Sequence, residues 1–178
     1  MKKWLHMTLA LSLALSLTAC GAETQAPAPT ETAPTAPPHI ANMINPYLTC
    51  ESAQEMQEQA GFEISLPTAL PDWVTETIYR TIPGELIEVI YAGEDNEIRI
   101  RCAMGSVDIS GVYDTDQKEE KDVSVGSSTV HLKGETMEDG VFHVCVATWH
   151  TEKGRTYSVT STNGVGEDAA LALIAEVQ

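Results

Sequence analysis

His131, His143 and Cys145 are the side chains whose types and spacing come nearest to a chemical site. A loop over 134–140 that pairs Lys133 with Val141 would set His131 directly across from His143 on neighbouring strands. Cys145, two residues along, then shares their face. Two imidazoles and a thiol suit zinc or copper, but no fourth ligand is evident. The plainer reading, two surface histidines beside a half-buried thiol, is preferred, so no metal site is expected. A Cys–His nucleophile lacks an orienting third group and an oxyanion loop. Asp114-Thr115-Asp116 begins like a calcium loop, yet Lys118 occupies a ligand position and no glycine follows it. The chain has no phosphate-binding glycine loop, no Gly-x-Ser-x-Gly and no His-Glu-x-x-His. Neither a catalytic residue nor a cofactor is therefore expected.

Two groups of residues are candidates for binding. Trp149, with Ala147, Thr156 and Ser158, forms a mixed patch on the sheet face away from the core. It either meets a ligand or is covered by the N-terminal helix, which must bury Met56; covering is favoured. Asp108, Ser110 and Tyr113 form a polar loop. Such residues beside glycine also bond their own backbone in tight turns, and that structural role is favoured. Three cysteines, Cys50, Cys102 and Cys145, follow Cys20. Cys102 shares a face with Ile98 and Ile100, and Cys145 shares the other with Ala147 and Trp149. Opposite faces preclude a bridge between them, so thiols are expected.

The elements that must carry these residues follow from periodicity. Ser52 and Glu55 make a capping box that opens a short helix, and Gly61 closes it near Ala60. Residues 62–66 suggest a strand, and Pro67 and Pro71 force an irregular link. From Val74 to Ser161 apolar residues recur every second position. Glycine-rich turns divide this stretch into strands near 74–82, 86–92, 97–104, 122–125, 128–133, 141–149 and 155–161. A helix from about 167 to 177 closes the chain, with Leu171, Ile174 and Ala175 as its buried face. Short links imply antiparallel pairing. Ile87, Val89 and Tyr91 should face Cys102, Ile100 and Ile98, with Glu88 and Arg101 paired on the other side. A turn at 151–154 and the loop at 134–140 place Val130, Leu132, Phe142, Val144, Val146, Tyr157 and Val159 on one core face. The expected class is α+β: one antiparallel, meander-like sheet with a short N-terminal and a C-terminal helix, spanning residues 45–178.

Upstream, Met1-Lys2-Lys3 is basic, Trp4 to Leu15 is mostly apolar, and Leu17-Thr18-Ala19-Cys20 follows. The apolar run is too short for a membrane span and fits a cleaved secretory signal. The last four residues resemble the lipobox of bacterial lipoproteins. That resemblance implies a signal peptide over 1–19 and a diacylglyceryl group on Cys20, an anchor that needs two or more acyl chains to hold. Residues 20–44 then form a lipidated, Pro/Ala/Thr-rich linker. Pro27, Pro29, Pro34, Pro37 and Pro38 keep it extended, with a reach on the order of 50 Å.

The whole chain has 10 Lys+Arg against 26 Asp+Glu, a net charge of −16. Loss of Lys2 and Lys3 leaves 8 bases against 26 acids, a net −18. Such a surface repels nucleic acid and anionic lipid and keeps the protein soluble.

From Asn45 onward the chain resembles a domain of unknown function common in Gram-positive, largely clostridial, lipoproteins and related to extracellular parts of anti-sigma and sporulation-linked membrane proteins. The residues that carry this include Asn45-Pro46, Gly61-Phe62, Leu70-Pro71, Ile98 to Arg101, the Gly105–Gly111 block and Ala147-Thr148-Trp149. The resemblance implies an α+β fold and no assigned catalysis. The cysteines and histidines lie outside its pattern. The expected function is a lipid-anchored cell-surface protein on the extracellular side of the membrane. Its domain would make a non-catalytic envelope interaction or sense a signal, with an envelope protein or peptide as candidate partner. The alternatives are an envelope hydrolase with an unrecognised site and a metal- or redox-binding lipoprotein.

Overall fold

The structure, a computed structural model, describes residues 45–105, 107–113 and 119–177. The signal, Cys20, the linker and Asp114-Thr115-Asp116 lie outside the described residues. Eight strands form one antiparallel sheet: β1 (Leu48–Cys50), β2 (Glu76–Ile82), β3 (Leu86–Ala92), β4 (Glu97–Met104), β5 (Glu119–Val125), β6 (Ser128–Thr136), β7 (Phe142–His150) and β8 (Arg155–Gly166). Their order is β1-β2-β3-β4-β8-β7-β6-β5. Two meanders, β1–β4 and β5–β8, are thus joined through β4 and β8, and the link from β4 to β5 must pass three strands. The domain is largely β, with one short helix near its start, α1 (Ala53–Ala60), and one at its end, α2 (Glu167–Glu176).

α1 forms where the capping box places it. Ser52 Oγ accepts from Glu55 N at 3.2 Å, and the Glu55 carboxylate accepts from Glu51 N at 2.8 Å. Gly61 ends the helix in the left-handed region, at φ 76°. Met56 and Ala60 seal its inner face against the sheet. In α2 the buried residues are Ala170, Leu173 and Ile174. Leu171 is only half-buried and Ala175 is exposed, so the expected stripe is corrected by a partial turn. The Ala/Leu-rich sequence is apolar on nearly every side, and periodicity could not choose a face.

The β3–β4 register is as expected: Ile87, Val89 and Tyr91 sit opposite Cys102, Ile100 and Ile98, and Glu88 opposite Arg101. A rung of the core crosses the sheet through Val130, Trp149, Tyr157, Cys102 and Ile87. Both helices and the irregular segment 61–75 cover this face. No strand forms at 62–66. There Ile64 N donates instead to the Gln57 side chain at 2.9 Å.

The β6–β8 region departs from expectation. β6 extends to Thr136, and its hairpin with β7 closes over 138–140, with Met137 N donating to Val141 O at 2.9 Å. The β7–β8 hairpin closes over 152–154, with Thr151 N donating to Arg155 O at 2.9 Å. Gly140 (φ 81°) and Gly154 (φ 73°) supply the left-handed residue that a three-residue loop needs. Cys145 is an extra residue in β7 relative to β6, a bulge that reverses which side chains face inward, and on the β8 side four residues, 161–164, lie opposite it. Phe142 and Val144 therefore share the core face with Ala147 and Trp149. Val146 turns to the second face, opposite Lys133 and Thr160. Gly134 sits where an added Cβ would overlap the His143 carbonyl.

Candidate functional site

Glu88, fully buried, organises the second face. It accepts from Arg80 and from Arg101 Nε, the latter at 2.8 Å, and Arg99 Nη1 lies 3.5 Å away. Arg101 also donates to the carbonyls of Ile109 and Ser110, at 2.9 and 2.5 Å. The carboxylate thus positions an arginine that straps residues 107–113 to the sheet. Within the strap, Asp108 Oδ1 accepts from Ser110 N at 2.8 Å and Ser110 Oγ from Val112 N at 3.2 Å. These two side chains hold a turn, whereas Tyr113 is 98% exposed.

On the same face His131 pairs with Thr148, not with His143. The His131 ring lies between Asp122, 2.8 Å from Nδ1, and Glu120, 3.6 Å from Nε2. His143 lies beside Glu135 and Gly166 at the other end of β7, and Cys145 lies in the bulge. The expected juxtaposition of His131 and His143 is therefore corrected. The longer β6 slides the hairpin register by several residues. Among the described residues no group of three His, Cys, Asp or Glu side chains is arranged to hold a metal ion.

Trp149 is corrected as well. It lies on the core face, 4% exposed, and stacks on Tyr157 rather than beside Thr156 and Ser158. The C-terminal helix, not the N-terminal one, lies over it. There the sheet and helix leave a cavity of about 530 Å³, which Trp149, Tyr157, Val130, Ile174 and Val177 line. Its polar wall comes from the β5–β6 turn (Ser127, Ser128), the β7–β8 turn (Thr151 to Lys153) and Ser65 of the irregular segment. The size falls within the roughly 300–1,000 Å³ usual for small-molecule sites.

Arg155 ties this end together. Its Nη1 donates to Glu63 O at 2.6 Å, and its guanidinium sits 5.5 Å from the Phe62 ring centroid. Burial raises the Tyr157 phenol, and Arg155 opposes that shift. Burial pushes the Cys102 thiol up to about 11, against smaller opposing effects of Tyr157 and Arg155. Such a thiol is neutral at neutral pH, the reverse of an activated nucleophile. Thr151 Oγ1, buried in the wall, has no hydrogen-bond partner among the described residues. Sequence reasoning singled out Trp149 but missed the cavity. The signals for it were the two glycine-closed turns, Gly126 and Gly154, which the topology brings to one end of the sheet.

No family model, curated protein or solved structure matches this chain.

Proposed function

We propose that the chain is a lipid-anchored cell-surface protein whose α+β domain binds a small envelope ligand in the Trp149 cavity without transforming it. The lipobox ending in Cys20, the preceding basic and apolar segments and the resemblance to lipoprotein domains support the anchor and the location. The observation that carries the binding reading is the cavity. Aromatic and aliphatic side chains line it together with several hydroxyls.

The test is thermal unfolding of the full chain in the presence of amino acids, peptides, saccharides and fatty acids. The expected result is a saturable rise in Tm with at least one class, abolished in Ser128→Trp, whose indole would fill the cavity mouth. If every class leaves Tm unchanged, the cavity is an unused packing defect. Cys20→Ala is expected to release the chain into the medium, and an unaltered membrane fraction would remove the anchor.

A further inference from the structure

We infer that the outer edge of β5 takes up an extended segment of another protein, with alternating basic and apolar residues, as an added strand. β5 ends the sheet and pairs only with β6, over all seven of its residues and without a register shift. On the side away from β6, every second residue turns its N–H and C=O outward. The opposite edge, β1, is three residues long and offers no such length.

An open edge invites pairing, and proteins blunt it with proline, a bulge, brevity or an outward lysine. β5 has no proline and no bulge. Its one lysine is turned back onto the domain: Lys121 Nζ lies 2.6 Å from the Glu167 carboxylate and 4.1 Å from the Phe142 ring centroid. On the core face Val123 and Val125 are only half-buried at the rim of the core. Apolar residues of an added strand would cover their open flank.

Charge selects the occupant. Glu120 and Asp122 lie on the second face of β5 with side chains 53% and 66% exposed. Lys133 answers Glu120 from the β6 side at 3.1 Å, and both carboxylates stay open to a strand on the other side. Beside them a basic side chain stabilises and an acidic one opposes. A second copy of the chain fails this test. In the register that uses the whole strand Asp122 meets Asp122, and two chains of net −16 repel. The chain's own residues 21–44 fail it too. They carry Glu23 and Glu31 without a Lys or Arg, and their prolines cannot donate to a ladder.

The experiment is NMR titration of the full chain with the peptide Lys-Val-Lys-Val-Lys-Val-Lys and its Glu-Val counterpart. Two further forms of the basic peptide are N-methylated, one at its valines and one at its lysines. In an added strand one of these two sets of amides faces β5 and the other faces water. The expected result is saturable binding of the basic peptide, slower hydrogen exchange at alternate β5 amides, and binding by only one methylated form. Glu120→Gln combined with Asp122→Asn should weaken binding roughly three- to tenfold. Binding of both methylated forms would mean charge attraction without strand pairing and overturns the inference. So does equal binding of the acidic peptide, or no binding of the basic one. Protection of the β5 amides without peptide, rising with protein concentration, would give the edge to a second copy and overturn the occupant proposed here.

Discussion

The indole of Trp149 lies flat against the phenol ring of Tyr157, with centroids 5.2 Å apart and planes 6° from parallel. The pair forms the middle of the core rung and the floor of the cavity at once. Trp149→Ala should therefore cost about 3–5 kcal/mol, read from the urea midpoint. Trp149→Phe, which keeps a ring against Tyr157, should cost clearly less. Equal losses would mean that the stacked geometry contributes nothing beyond bulk.

Glu88 gathers three arginines at a fully buried carboxylate. Glu88→Ala leaves those guanidiniums facing one another and should destabilise by about 3–5 kcal/mol. Arg101→Lys keeps the charge but cannot bond Glu88 and the strap carbonyls together. Its expected signature is faster proteolysis within 107–113 with little change in global stability. Unchanged cleavage would show that the strap is held by other means.

Gly134→Ala drives a methyl group into the His143 backbone. The neighbour is main chain and cannot swing aside, so a loss of about 1–3 kcal/mol is expected. Gly126→Ala is the control. It meets no atom within 4 Å, and its cost is confined to its left-handed φ of 59°. Denaturant unfolding of both variants separates overlap from backbone strain. A smaller loss at Gly134 would refute the overlap.

Glu176 accepts from Thr68 N at 2.7 Å and Thr68 Oγ1 at 2.9 Å, pinning the irregular segment to α2. Those bonds, the backbone one foremost, hold its carboxyl below the ordinary 4.5. A lowered carboxyl value stabilises the fold above the unfolded value, and that contribution is lost as pH falls through the folded one. Glu176→Gln should thus be less stable than the parent at pH 7. The gap should close as pH drops below the ordinary carboxylate range, as followed by thermal melts across acidic pH. A gap independent of pH would exclude the linkage.

The legible parts of the fold were those where local chemistry decides. Ser52, Glu55 and Gly61 set both ends of α1, and alternation in β3 and β4 around a short turn fixed their register residue by residue. The β6–β8 registers failed because a one-residue slip reverses every side chain. The Cys145 bulge makes that slip within β7, whereas the glycines that accompany it, Gly134 and Gly164, lie on the neighbouring strands. β1 was missed because three residues give no period, and it forms only through pairing with β2. Trp149 was recognised as important but assigned to the wrong face for the same reason. The Arg101 strap depends on a link that passes three strands, which no local pattern reveals.

The place of β8 between β4 and β7 has a consequence for timing. Of the eight described strands β8 comes after the others in the chain and is the one that fuses the two halves of the sheet, so the nascent domain carries two incomplete sheets until β8 emerges. Early products cannot lock, and folding is governed by distant pairings, which are slow. For a chain exported as proposed above, that delay is an advantage: the polypeptide stays threadable until the whole of it has crossed. A truncation before Arg155 would convert the delay into a hazard, exposing β4 and β7 as raw edges open to aggregation.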